Sequence, residues 1–233
     1  MKIGILQCDD VNPALQPDHG NYPAMFEALL REQAPDATFA VYRCLEGELP
    51  ASVGECDAYI TTGSKSCVND DNQWIRQLED FVRALYEANK KLVGICFGHQ
   101  LIARALGGEV LNSEKGWGVG MSFNAVSSPK PWMQPQQDKL DLIVSHQDQV
   151  VTLPPEAQVL ASSRFCPFYM LAYGECFMSV QGHPEFSKTY SRDLMNLRRG
   201  VIPDERIREG QVSLNAEVDD RVMMSWIMHF FKA

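Results

Sequence analysis

Residues 91–100 read Lys-Leu-Val-Gly-Ile-Cys-Phe-Gly-His-Gln, a short apolar run that climbs to a cysteine set between Gly94 and Gly98, with a helical pattern following at once. A strand, a tight turn and a helix in so short a span suit a parallel sheet that presents the turn at its edge. The Gly-x-Cys-x-Gly spacing is the thiol form of the elbow that lifts a nucleophile above such a sheet. Glycines flank the turn because it is strained and because neighbouring backbone must approach closely. The helix that begins there aims its free N–H groups and positive dipole end at Cys96, which stabilises a thiolate. An isolated cysteine at a strand end is more often an inert buried residue. Flanked by Gly94 and Gly98, Cys96 reads instead as a nucleophile that needs a base, an orienter and an oxyanion site elsewhere in the chain.

The remaining composition sets bounds. With 233 residues, 45% hydrophobic and 22% charged, the chain has the make-up of an ordinary globular protein able to bury a sizeable core. Its net charge of −9 argues against non-specific nucleic-acid binding, since an anionic surface repels phosphates. Met1 leads straight into the strand-like Lys2–Leu6, which gives no sign of a secretory leader. No apolar run approaches the roughly 18 residues that span a bilayer. Seven cysteines without paired spacing predict reduced thiols in a cytoplasmic protein. Neither Cys-x-x-Cys nor His-x-x-x-His occurs, so neither a metal nor another cofactor is expected.

Along the chain, Lys2–Cys8, Thr38–Tyr42, Ala58–Thr62 and Leu92–Ile95 read as strands, and Asp9–Gly20 as a polar loop. Asn21–Gln33 reads as a helix, as does a segment capped by Asp70–Asn72 and running to about Ala88, whose stripe from Trp74 to Tyr86 is apolar. Gly98–Leu106 is the elbow helix, stopped by Gly107-Gly108. This alternation predicts an α/β fold with a mostly parallel central sheet and helices on both faces. Beyond it, Glu109–Phe123, Leu140–Ser145, Ala157–Ser162, Phe168–Ala172 and Cys176–Gln181 read as short strands of an antiparallel extension, all within one domain of residues 1–233. Ser127–Asp138 reads as a loop or flap, Ser187–Arg199 as a weaker helix, Gly200–Val218 as irregular, and Asp219 as the cap of a closing helix.

Among five histidines, His19 lies in the early loop, His229 in the closing helix, and His99 three residues after Cys96 with its ring expected to face away from the sulfur. His183 stands in Gly182-His183-Pro184-Glu185 after a strand-like run. In an extended segment, residues two apart share a side, so Glu185 can reach the His183 ring, and Pro184 stiffens the link. A carboxylate there sets the tautomer and stabilises imidazolium. Gly63-Ser64-Lys65-Ser66 lacks the spacing of a phosphate loop, and Gly116-Trp117-Gly118-Val119-Gly120 that of a dinucleotide fingerprint.

Gly94-Ile95-Cys96-Phe97-Gly98-His99-Gln100 followed by Gln181-Gly182-His183-Pro184-Glu185 resembles the class I glutamine amidotransferase family, and the likeness runs through most of the chain. Ser145-His146-Gln147-Asp148 is similar to a segment of the GMP synthase amidotransferase domain, and free-standing members such as the γ-glutamyl peptidases look closest. The resemblance implies Cys96 as nucleophile, His183 as general base and acid, and Glu185 as orienter. It implies an oxyanion hole from Phe97 and a glycine matched here by Gly63, although Thr62 and Ser64 depart from the family's Gly-Gly-Pro loop. Gln100, Ser145 and His146 match positions that line the substrate pocket.

The implied reaction is attack of Cys96 on a γ-glutamyl amide, a thioester, and its hydrolysis. The expected partner is a small-molecule γ-glutamyl substrate, without nucleic acid or membrane. Other readings stay open. The chain could be a glutaminase subunit that passes ammonia to a separate synthetase, since it contains no recognisable ATP-binding segment. It could be a non-catalytic relative. It could be a Cys-dependent α/β-hydrolase, whose acid would precede the histidine and be Asp148 or Glu175.

Overall fold

The computed structural model describes residues 1–233. Strand β1 (Lys2–Gln7) is followed by a single helical turn, α1 (Gln16–His19), within the stretch expected to be loop, and then by α2 (Tyr22–Gln33). Strands β2 (Thr38–Arg43) and β3 (Ala58–Thr61) precede α3 (Gln73–Glu87), and β4 (Lys91–Ile95) leads into α4 (Phe97–Ala105). There follow β5 (Glu109–Asn112), β6 (Gly118–Val126), β7 (Lys139–His146), β8 (Asp148–Thr152), β9 (Ala157–Ser162), β10 (Met170–Tyr173) and β11 (Phe177–Val180). Helices α5 (Lys188–Leu197), α6 (Asp204–Ser213) and α7 (Asp220–Lys232) close the chain.

The main sheet has nine strands in the order β2-β1-β3-β4-β11-β10-β9-β6-β7. The half from β2 to β11 is parallel, and β10, β9, β6 and β7 extend it in antiparallel register. This is the α/β arrangement expected from the alternating first half. Strands β1, β3, β4 and β11 are covered on both faces, so they are apolar at successive positions, whereas the edge strand β2 stays partly exposed. Ile3, Ile5, Ile60, Val93 and Ile95 pack toward α2 and α7, against Phe26, Leu30, Trp226 and Ile227. Leu6, Tyr59 and Leu92 point the other way, toward Ile75, Leu78 and Val82 of α3 and Leu101 and Ile102 of α4. Each such buried side chain contributes roughly 1.5–3 kcal/mol of transfer free energy. No helix is long and apolar enough to cross a membrane, and all seven cysteines are free.

Four expectations need correction. Glu109–Phe123 is not one strand: it divides at residues 113–117 into β5, which pairs with β8 in a separate two-stranded sheet, and β6, which joins the main sheet. Residues 200–218 are not irregular, because they contain α6, which buries only Ile207 and Gly210 and so carries almost no apolar stripe. Residues 127–138 form no flap. They lie on α7, with the Trp226 indole N–H donating to the Pro135 carbonyl at 2.9 Å and Trp132 edge-on to Phe230. Finally, Asn72 and Asp219 occupy N-cap positions without capping through their side chains; Asp219 instead accepts the Asp141 N–H at 2.8 Å, tying the closing helix to β7.

Candidate active site

Cys96 sits where β4 gives way to α4, with φ 50° and ψ −98°. This positive φ is strained for a residue with a side chain and persists only where its surroundings over-determine it. Those surroundings are visible. The Cys96 N–H donates to the Val180 carbonyl at 2.9 Å, so the turn is stitched to β11. The Ile95 N–H donates to Thr61 Oγ1 at 3.2 Å, stitching it to β3. A Cβ on Gly94 would lie 2.6 Å from the Gly98 carbonyl oxygen, and one on Gly98 would collide with Thr61 Oγ1. The two glycines let the first turn of α4 sit down on the sheet. The N–H groups of that turn, those of Phe97 and Gly98 among them, have no carbonyl partner within the helix.

His183 arrives from the end of β11, the strand next to β4. Its N–H donates to the Ile143 carbonyl at 2.8 Å, and its Nδ1 lies 2.7 Å from Glu185 Oε1. Both side chains are buried. With Nδ1 committed to the carboxylate, Nε2 is the nitrogen left for Cys96. Burial pushes the imidazolium's pKa down, but the Cys96 and Glu185 charges and the hydrogen bond to Glu185 outweigh it and raise the ring to about 10. The ring is also gripped on its faces: Phe186 stacks on it with centroids 3.8 Å apart. Gly63 approaches so closely that a Cβ there would fall 2.7 Å from His183 Cε1.

The loop carrying Gly63 is held without the family's Gly-Gly-Pro sequence. Thr62 Oγ1 accepts the Cys8 N–H at 2.9 Å and donates to the Gly63 carbonyl at 3.0 Å. The buried Asp9 carboxylate takes the Lys65 N–H at 2.8 Å and the Lys65 ammonium at 3.1 Å. Thr62, a departure from the family pattern, is therefore part of the loop's own bracing.

Cys96 opens onto a cavity of about 690 Å³ that Gln100, Ser145 and His146 also line. All three positions matched by resemblance are thus brought together, but Gln100 is less free than expected. Its Nε2 donates to the Asp148 carbonyl at 2.9 Å and to Gln181 Oε1 at 3.1 Å, leaving only its oxygen for the cavity. His146 places Nδ1 3.0 Å from the Asp148 carbonyl, and burial lowers its pKa to about 4, so the ring is neutral near pH 7. His99 turns from the sulfur, as expected, and meets Ser179 Oγ at 2.8 Å.

Several cavity residues carry no local motif that could have announced them. Arg198, at the end of α5, donates to Ser145 Oγ at 2.7 Å and lies over the Trp117 ring. No carboxylate of the protein pairs with it, and it lines the cavity. The acids invoked for an α/β-hydrolase do not reach His183. Glu175 lies at the opposite end of the sheet, where its carbonyl accepts the Lys91 ammonium at 2.7 Å, and the Asp148 carboxylate faces Asn112.

Residues 65–200 match the family described as glutamine amidotransferase class-I. The chain is 32% identical over 212 residues to gamma-glutamyl peptidase 4 of Arabidopsis thaliana, covering 87% of this chain and 84% of that one. It is 34% identical over 131 residues to one subunit of the glutamine-hydrolyzing GMP synthase of Pyrococcus abyssi, covering 56% and 66% respectively. Its fold superposes on a glutamine amidotransferase structure from Methylobacillus flagellatus with a TM-score of 0.77 at 21% identity, over 99% of this chain and 94% of that one. The chain belongs to the class I glutamine amidotransferase family.

Proposed function

We propose that residues 1–233 form one catalytic domain that hydrolyses a γ-glutamyl amide bond through a thioester on Cys96, with His183 and Glu185 completing the triad. The observation that carries this reading is the strained Cys96 at the head of α4 beside a buried imidazole whose other nitrogen is fixed on Glu185 at 2.7 Å.

The thiolate of Cys96 attacks the γ-carbonyl carbon, and the carbonyl oxygen becomes an oxyanion that the N–H groups of Gly63 and Phe97 receive. Each such donor is typically worth about 3 kcal/mol of barrier. Imidazolium is the favoured form of His183 in this setting, and it gives its Nε2 proton to the leaving amine as the C–N bond breaks. The neutral ring then takes a proton from water, which attacks the thioester and releases the γ-carboxylate, returning the thiolate. Glu185 stabilises the charged ring at both stages. At the amino-acid end, the unpaired donors of Arg198 suit the α-carboxylate, and the Gln100 oxygen suits the α-ammonium. His146, neutral near pH 7, adds no charge against that ammonium.

The cavity volume lies within the ~300–1,000 Å³ usual for sites that enclose ligands larger than an amino acid. Together with the extent of similarity to the plant gamma-glutamyl peptidase, this favours a γ-glutamyl peptide or conjugate over glutamine. The second reading, a glutaminase subunit serving a separate synthetase, draws on the similarity to the Pyrococcus protein. A panel of glutamine, γ-glutamyl dipeptides and glutathione separates them. Peptide turnover well above glutamine turnover is expected. Slow glutamine hydrolysis that accelerates when a synthetase is added would reverse the conclusion.

A further inference from the structure

Gln181, wholly buried at the end of β11, is the one neutral side chain whose hydrogen bond reaches the sulfur: its Nε2 lies 3.5 Å from Cys96 Sγ. Which end of an amide faces a neighbour is settled by what that neighbour can do. A backbone carbonyl only accepts, so Gln100 must turn its NH2 group toward the Asp148 carbonyl. The same nitrogen also faces Gln181, which must therefore answer with its oxygen. Only the NH2 end of Gln181 is then left for Cys96. The Gln181 N–H is bonded to the Tyr169 carbonyl at 2.8 Å, so the residue's backbone is fixed as well.

We infer that Gln181 is a catalytic residue that donates an N–H to the Cys96 thiolate, and that Gln100 is the positioning residue that fixes which way its amide points. The relay from the Asp148 carbonyl through Gln100 and Gln181 gives the sulfur a directed donor that is independent of His183. The sulfur carries its negative charge before attack on the amide and again as the thioester is hydrolysed, and at both points the Gln181 N–H shares that charge with the His183 imidazolium. In the collapse of the tetrahedral intermediate of deacylation, it makes Cys96 a better leaving group by receiving the returning negative charge.

This inference rests on the reading of Cys96 as the nucleophile. Its test measures the thiol without turnover: the rate of iodoacetamide alkylation of Cys96 against pH, followed by mass spectrometry of the peptide that contains it. The titratable and charged groups around the sulfur are His183 with Glu185 behind it, Cys166 from the loop before β10, His146 of β7, His99 of α4, and Lys65, Cys67, Asp148 and Arg198 across the cavity. All remain in the variants used. Gln181→Met keeps the length of the side chain and removes the donor. The alkylation midpoint is expected to rise by about one pH unit, with kcat/KM for a γ-glutamyl dipeptide falling about tenfold, mostly in kcat. Gln100→Met frees the Gln181 amide to turn over and should raise the midpoint by a smaller amount.

Gln181→Glu guards against misfolding of the methionine variant, because its carboxylate can still accept from Gln100. It sets an anion against the sulfur and should raise the midpoint further than Gln181→Met does. An unchanged midpoint in the folded Gln181 variants, judged by circular dichroism, would overturn the inference. Hydrolysis surviving in Cys96→Ala would instead overturn the proposed function, whatever the midpoints do.

Discussion

The imidazole of His183 and the ring of Phe186 lie 3.8 Å apart at their centroids and 11° from parallel. Tyr190 meets Phe186 edge-on at 4.6 Å, so the plate beneath the imidazole is itself held. Phe186→Ala is therefore expected to let the ring tilt away from Cys96. A displacement of about 1 Å can cost on the order of a hundredfold in rate. The loss should fall on kcat with KM little changed, as measured by steady-state kinetics on a γ-glutamyl dipeptide, and Phe186→Tyr should retain most activity.

Glu185→Gln tests the orienter. The amide can still occupy the site but cannot stabilise imidazolium, and it favours the wrong tautomer. The corresponding loss in serine triads is about 10⁴-fold in kcat, and a drop of roughly three to four orders of magnitude is expected here. Asp148→Asn and Glu175→Gln, made in parallel, lie outside the triad and should stay within about threefold of the parent.

Gly63→Ala separates packing from electrostatics in the loop opposite the sulfur. The added methyl would fall 2.7 Å from His183 Cε1, and the backbone beneath it is braced by Thr62 and Asp9. The ring must yield rather than the loop. Activity should fall by at least about a hundredfold. The melting temperature should move by only a few degrees, as for a local overpacking of about 1–3 kcal/mol.

The pH dependence of stability follows from the same pair. The His183 ring is opposed by burial but lifted to about 10 by the Cys96 and Glu185 charges, whereas an unfolded histidine titrates near ~6.5. The folded state holds this proton more tightly, so its contribution is complete below about 6.5 and disappears as pH rises through about 10. Urea unfolding at pH 6.5, 8 and 10 should show wild-type stability declining across that window. In Cys96→Ser, which lacks the thiolate, the decline should be shallower.

What could be read from the residue order was whatever the chain encodes locally. The Cys96 elbow and the His183-Pro184-Glu185 segment each lie within a few residues, so spacing alone placed the cysteine at a strand–helix junction and the carboxylate on the ring. Arg198 and Trp117 carry no such signature, and Gln181 stands in the His183 segment without any local sign that its side chain turns to the sulfur. They enter the cavity or reach the sulfur because α5, β6 and β11 converge there, which is a property of the sheet order. Helix α6 escaped because it buries only Ile207 and Gly210, too little for periodicity to register. Strand β8 was hidden because it begins at Asp148, inside the Ser145–Asp148 segment, whose residues divide between two sheets.

The pairing of β4 with β11 has a consequence for synthesis. The cysteine is made early and its strand can settle against β3 at once, but the partner that brings His183 and Glu185 lies beyond β10. Closing so long an intervening stretch is among the slower steps in assembling a sheet. A chain emerging from the ribosome therefore carries a thiol without its base from the synthesis of Cys96 until that of His183 and Glu185. The triad is completed only when the last parallel strand docks, and a product terminated before it would carry the cysteine without its base.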